Sequence, residues 1–301
     1  MTEAAFIDGL RALATHPAAR GLADDAAVLG DLVLTHDMIV EGVHFLAGDP
    51  PGDVAWKLLA VNLSDLAAKG AEPVGCLMGY SLAGDDAWDA AFLAGLGAAL
   101  TAFGMPLLGG DTVSVPAGTP RALGLTAIGR TANAPARGGA RHGDTLWVTG
   151  VIGAAGIGLA RAMAGGNADA ADPCVIAYRR PEPRLAEGRA LAPLATAMMD
   201  VSDGLLIDAG RMAEASGVAI AITLDAVPVT PAAPPGLDAI LAAVTAGDDY
   251  ELLFALPAGA TPPAGIAATR IGTVAEGRGL SLTHAQNPVP LPTRLGYLHG
   301  A

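Results

Sequence analysis

The sequence predicts a two-domain protein of the α+β (mixed α/β) class. Strand-length apolar runs and helix-length segments follow one another in mixed order, with no internal repeat. Residues 131–140 lack any periodicity and read as a linker near the middle of the 301-residue chain. Hydrophobic residues make up 52%, enough for a sizeable core, and an aromatic content of 4% makes that core aliphatic.

The elements follow in order. Residues 3–14 read as a short amphipathic helix. Residues 21–28 form a turn that carries the paired acids Asp24 and Asp25 into a strand. The run Leu32-Val33-Leu34 opens a strand that reaches Asp37. A helix is expected over 52–69, with Pro51 before it and Gly70 after it, and with Asn62, Asp65 and Lys69 as a polar stripe. Then come a strand (73–82), a helix (85–103), a short strand (105–108) ending in a Gly109-Gly110-Asp111-Thr112 turn, and a strand (121–131). The linker places a domain boundary near residue 136, giving domains 1–136 and 137–301. The second domain is expected to contain strands at 144–149, 195–199, 218–224, 250–256 and 267–274. Helices are expected up to about 164, over 183–191, from 204 to 216 and up to 243. Residues 165–182 and 228–236, polar or rich in Gly and Pro, are expected as loops.

The net charge of −13 argues against a nucleic-acid or anionic-membrane partner, which would need a basic face. Only two lysines occur, Lys57 and Lys69. That is too few to neutralise the clustered carboxylates, so divalent cations are expected to do it. Cys76 and Cys174 stand far apart in apolar surroundings and read as buried free thiols. Residues 1–16 lack a continuous apolar signal core, and the most apolar segment, 90–110, is broken by glycines and Pro106. A reducing cytoplasm fits this pattern.

Chemistry concentrates first at Thr35–Phe45. With a period of two, Thr35 and Asp37 leave one face of the strand and His36 the other. Two oxygen ligands on one face suit a hard cation such as magnesium. Taken alone, the stretch reads equally well as a surface strand running into a turn. The glycines from Gly150 to Gly158 lack dinucleotide-fingerprint spacing and are better explained by tight helix packing. No Walker A loop is present. Asp25, Asp37, Asp65, Asp111, Asp200 and Asp203 each fit an ordinary turn, cap or helix face. Together they fall mostly where strands end and loops begin, the places where α/β-type folds bind ligands.

The order of these turns resembles the thiamine-monophosphate kinases, of the superfamily that includes aminoimidazole-ribonucleotide synthetase. The matching motifs are Asp24-Asp25-Ala26, Thr35-His36-Asp37 with Glu41-Gly42-Val43-His44-Phe45, and Asn62-Leu63-Ser64-Asp65-Leu66-Ala67-Ala68. They continue with Gly109-Gly110-Asp111-Thr112, Val148-Thr149-Gly150, Asp200-Val201-Ser202-Asp203-Gly204-Leu205 and Gly247-Asp248-Asp249-Tyr250-Glu251-Leu252. Seven motifs in order cover most of the chain.

The resemblance implies a homodimer in which the N-terminal α/β domains build a barrel across the two subunits, each with an α+β C-terminal domain beside it. It implies transfer of the γ-phosphoryl group of ATP to thiamine monophosphate, giving thiamine diphosphate. It implies magnesium ligands at Asp25, Thr35, Asp37, Asp65, Asp111, Asp200 and Asp203. ATP contacts are implied at Gly110, Asp111, Arg137 and Ser202, and thiamine monophosphate contacts at His44, Asp248 and Tyr297. Asp65, Asp203 and Arg137 are the residues expected to carry the transfer. The sequence departs from the family pattern at His36, where Thr is usual, at Ala23, where Gly is usual, and at Asp248, where Glu is common. Other ATP-using members of the superfamily fit less well: the first cysteine is Cys76, and the chain ends Leu298-His299-Gly300-Ala301 without one. A magnesium-nucleotide sensor without turnover is the non-enzymatic alternative.

Overall fold

The computed structural model describes residues 2–164 and 169–298. Helix α1 (Glu3–Arg11) precedes β1 (Ala27–Leu29) and β2 (Leu32–Val40). Helix α2 (Pro51–Ala68), strand β3 (Glu72–Leu82), helix α3 (Asp86–Phe103), and strands β4 (Leu107–Ser114) and β5 (Ala122–Arg130) complete the first half. Its five strands lie in the order β1-β2-β5-β3-β4. All pairs are antiparallel except β3 with β4.

Helix α2 is the pivot. Pro51 opens it without losing a bonded N–H, and Asp53 sits in the first turn, where a negative charge is favoured. From Val54 to Ala68 every residue but Trp56 is buried. A helix buried all round cannot have a solvated polar stripe. Asn62, Ser64 and Lys69 are 0% exposed and Asp65 is 8% exposed, so these polar groups must be satisfied inside the protein.

The second half holds β6 (Thr145–Thr149), α4 (Ala154–Met163), α5 (Pro173–Arg179), α6 (Leu185–Leu191), β7 (Ala197–Asp200), α7 (Leu205–Ser216) and β8 (Ala219–Thr223). Helix α8 (Leu237–Val244) and strands β9 (Leu252–Leu256), β10 (Ala268–Ala275), β11 (Gly279–His284) and β12 (Asn287–Val289) follow. The seven-stranded order is β12-β11-β8-β10-β6-β9-β7, with only β8 and β11 parallel. The coil containing residue 136 thus separates the two sheets. Ala67 and Ala68 of α2 pack on Leu191, Met198, Leu252 and Phe254 of the second half, closing an apolar seam between the halves.

Three local expectations change. Gly109–Thr112 is not a turn but the middle of β4, which pairs with β3 from Leu107 to Ser114. A Cβ on Gly110 would lie 1.9 Å from the Met78 carbonyl oxygen, so glycine is what lets the two strands approach. Within the expected 165–182 loop, residues 173–179 form α5: the Asp172 carboxylate accepts from the Cys174 N–H (2.9 Å), with Pro173 in the first turn. Residues 165–168 of that loop lie outside the described residues. Strands β11 and β12 were not anticipated. The Gly150–Gly158 run serves packing, as expected: a Cβ on Gly158 would meet the Cys174 carbonyl oxygen at 1.9 Å, where α4 crosses α5.

Among the described residues, no helix is long and apolar enough to cross a membrane. Cys76 and Cys174 are buried and unpaired.

Candidate active site

Strand β2 turns one face to α2. Thr35 leaves that face and its hydroxyl bonds the Asp65 carboxylate of α2. The Asp37 backbone N–H donates to Asn62 Oδ1 (2.9 Å), and Asn62 in turn donates to the Leu58 carbonyl one helical turn back (2.9 Å). His36 leaves the opposite face, where Nδ1 meets Thr126 Oγ1 at 2.9 Å. The strand alternation therefore works as expected.

The end of β7 delivers Asp200 to the same place. Oxygens of Asp25, Asp65 and Asp200 all lie within 4.8 Å of one another, and Ser64 of α2 donates to Asp200 Oδ2 at 2.6 Å. Burial raises the Asp65 carboxyl well above the usual range, helped by the charges of Asp37, Asp200 and Asp25. Burial does the same to Asp200, with Asp25 adding to it and the Ser64 bond opposing it. Asp37 is pushed up to about 6 by burial, against the pull of His36 and with the charges of Asp25 and Asp203. Three hydrogen-bonded, mutually repelling buried carboxylates are the donor set that a hard divalent cation would satisfy.

Asp25 differs. Burial opposes its ionisation, but Lys69 and Arg137 outweigh that and hold its carboxyl below the usual range. Lys69 Nζ lies 2.7 Å from Asp25 Oδ2 and also pairs with Asp24. It further donates to the carbonyls of Met198 (3.1 Å) and Pro135 (3.3 Å). Arg137 grips Asp25 Oδ1 through Nε (3.1 Å) and Nη2. The expectation that two lysines are too few to neutralise the clustered acids is corrected for Asp24 and Asp25, where the buried Lys69 and the linker's Arg137 supply the counter-charge.

Beside the cluster, a cleft of about 600 Å³ opens between the halves. Asp37 and His44 line it from the first half, and Ser202, Asp203, Asp248 and Tyr297 from the second. Asp203 pairs with Arg211 (2.6 Å), and its backbone carbonyl accepts from the Tyr297 N–H (2.8 Å). Asp208, pushed up to about 7 by burial against Arg211, accepts from the backbone N–H groups of Asp203 (3.1 Å) and Gly204 (3.2 Å). It fixes the turn at the start of α7.

Of the sequence-derived residues, the structure gathers Asp25, Thr35, Asp65, Asp200 and Arg137 at the cluster, with Asp37 at its edge. Ser202, Asp203, His44, Asp248 and Tyr297 line the cleft. Gly110 and Asp111 stand apart. The ladder Asp37–Leu125–Met78–Gly110 puts three strand spacings between β2 and β4, roughly 14 Å along the sheet. Asp111 is in register with Gly79, Gly124 and Met38, the face opposite Asp37. Within one chain it does not reach the cluster. Sequence reasoning missed Lys57, Ser64, Lys69 and Tyr250. A signal was present, since Lys57 falls inside a helix with few polar positions and Lys69 caps its end.

Residues 23–131 match the family described as AIR synthase related protein, N-terminal domain, and residues 141–285 match its C-terminal domain. The chain is 39% identical to thiamine-monophosphate kinase of Caulobacter vibrioides, over 94% of this chain and 86% of that one. It is 36% identical to the Escherichia coli K12 enzyme of the same name, over 93% and 92%. The solved structure of AaThiL complexed with AMPPCP and TMP superposes with a TM-score of 0.86 at 28% identity, covering 99% of this chain and 97% of that one. Family matches over both halves and relatives aligned over nearly the whole chain agree: the chain belongs to the thiamine-monophosphate kinase family.

Proposed function

We propose that the protein phosphorylates thiamine monophosphate with ATP, giving thiamine diphosphate in the last step of that cofactor's synthesis. The observation that carries this reading is the buried set of Asp25, Asp65 and Asp200 oxygens beside the cleft between the two halves.

The acceptor is a phosphate oxygen, largely ionised at neutral pH because its second pKa is about 6, so no strong general base is required. The obstacle is repulsion between two polyanions. Magnesium held by Asp25, Thr35, Asp37, Asp65, Asp200 and Asp203 would supply charge neutralisation and in-line positioning. The chain's own part is to keep that donor set rigid. Thr35 and Ser64 fix the carboxylates of Asp65 and Asp200, and Lys69 and Arg137 fix Asp25. Arg137 and Ser202 are assigned to ATP, and Asp65, Asp203 and Arg137 carry the transfer. His44, Asp248 and Tyr297 take the thiamine end, where the cleft is deep enough for a small molecule.

Gly110 and Asp111 enter this scheme through a second copy. All eight residues of β4 are exposed, and β4 is a sheet edge with unpaired backbone groups. Leu77, Val113 and Met38 expose apolar surface on the face that Asp111 shares. A homodimer that closes these sheets into a barrel covers that surface and brings Gly110 and Asp111 to the nucleotide across the interface. Two buried free thiols favour a reducing, cytoplasmic setting.

The test is direct. Purified protein with magnesium, ATP and thiamine monophosphate is expected to form thiamine diphosphate. A folded protein that binds ATP and forms none is a sensor, not a kinase.

A further inference from the structure

Lys57 is 2% exposed, yet it is held at the substrate end of the cleft. Its ammonium donates to the His44 carbonyl oxygen (2.9 Å) and to Asp248 Oδ2 (2.7 Å). His44 belongs to the loop after β2 in the first half. Asp248 belongs to the turn between α8 and β9 in the second. One cation therefore ties the two lips together. The Tyr178 ring lies under it, 4.2 Å from Nζ to the centroid. The Tyr178 hydroxyl is anchored on Asp49 (2.8 Å), which Arg179 also holds (2.8 Å). Sealed below by an aromatic face, the charge is directed at Asp248.

The Asp248 turn needs such a tie. Asp248 (φ 67°) and Tyr250 (φ 51°) both adopt the left-handed conformation, disfavoured for residues with a Cβ. Their backbone N–H groups are pinned to the carbonyls of Ser202 (2.7 Å) and Val201 (2.8 Å). The Tyr250 hydroxyl takes Asp248 Oδ1 at 3.0 Å and Lys57 takes the other oxygen. Both carboxylate oxygens are thus oriented from below, while 27% of the side chain remains open to solvent at the cleft.

We infer that Lys57 is a positioning residue that sets the spacing of His44 and Asp248 across the cleft, and so the affinity for the thiamine substrate. The inference rests on the reading that these two residues contact that substrate. The substitution Lys57→Met keeps an unbranched apolar stem and removes the charged donor. Loss of a charge-assisted tie is expected to raise the KM for thiamine monophosphate about tenfold or more, and to move the KM for ATP by less than about twofold. Lys57→Gln, which retains a donor, should fall between Met and the parent and keeps the measurement possible if Met does not fold. In the Asp248→Asn background, Lys57→Met should add little, because its effect runs through Asp248. Equal rises in both KM values, or full additivity with Asp248→Asn, would assign Lys57 a structural role only and overturn the inference. An unchanged KM for thiamine monophosphate in Lys57→Gln and in any folded Lys57→Met overturns it as well. If Asp248→Asn itself leaves that KM unchanged, the assignment of Asp248 fails instead, and the two failures are distinct.

Discussion

Ser64 of α2 donates to Asp200 at the end of β7, 2.6 Å away, and this bond joins the two halves of the protein at the acid cluster. Both residues are almost fully buried. The hydroxyl has one strong acceptor, and the carboxylate is aimed by it toward Asp25 and Asp65.

Ser64→Ala is therefore expected to weaken the cation site more than the fold. A hydrogen bond to a charged group contributes about 1.5–3 kcal/mol, so magnesium activation should shift to roughly tenfold higher concentration. A titration of activity against free magnesium reads this directly. An unchanged activation curve would mean that Asp200 is aimed by other groups.

Asp65→Asn should separate activity from stability. The Asp65 carboxyl is driven up by burial and by three like-charged neighbours, so ionising it costs folding free energy in the metal-free protein. The amide removes that repulsion and keeps the shape. Turnover should vanish while the metal-free protein becomes more stable by about 1–2 kcal/mol near neutral pH. Thermal melting in chelator checks the second half. Near-normal turnover would count against a shared metal site.

The pH dependence of the metal-free protein follows with a definite sign. Asp37 (about 6), Asp208 (about 7), Asp65 and Asp200 all have raised carboxyls. The folded state holds protons that the unfolded chain has already released. Their stabilisation is complete below the ordinary carboxylate range and is lost as pH rises, through about 6 for Asp37 and about 7 for Asp208. Asp25 runs the other way, its contribution present above that range and lost on acidification. Between about pH 5 and 8 the melting temperature in chelator should fall. Added magnesium should flatten or reverse the slope, since the cation replaces the protons. A melting temperature that rises with pH in chelator would contradict the buried-acid picture.

Lys69 is 0% exposed and serves two acids and two carbonyls. Lys69→Met leaves Asp24 and Asp25 buried with only their arginine partners. Breaking a buried pair by removing one member costs about 3–5 kcal/mol, so this variant should melt far below the parent. The double variant Lys69→Met with Asp24→Asn should recover part of the loss, as denaturant unfolding would show.

What the sequence revealed and what it concealed divide along physical lines. The alternation of Thr35, His36 and Asp37 was legible because the strand period is fixed at two whatever surrounds it. Asp25, Asp65 and Asp200 were legible as motif acids, but their meeting depends on α2 lying between β2 and β7, which no local pattern states. Lys57 and Lys69 read as too few charges to matter, because a count carries no burial. Gly109-Gly110 read as a turn because glycine marks both turns and close strand approach, and only the Met78 carbonyl decides between them. Asp111 read as a companion of Asp37, whereas the sheet register puts it on the other face.

That register leads to the last prediction. If Asp111 acts only across a dimer, disrupting the β4 edge should remove activity without touching the acid cluster. Val113 is 53% exposed and shares the Asp111 face two residues on. Val113→Glu places a charge in the apolar surface formed with Leu77 and Met38, where a buried unpaired carboxylate in the dimer would be strongly unfavourable. Sedimentation should show a monomer with native secondary structure and little turnover. A mixture of Val113→Glu with an Asp111→Asn chain would not restore activity, because the first does not pair. By contrast, Asp111→Asn mixed with an Asp65→Asn chain should regain about a quarter of the parent activity. Random pairing makes about half of the dimers mixed, and each mixed dimer carries one site with both acids intact if Asp111 is supplied across the interface. Two inactive parents that stay inactive when mixed and refolded together would place Asp111 and Asp65 in the same subunit's site, against the sheet register.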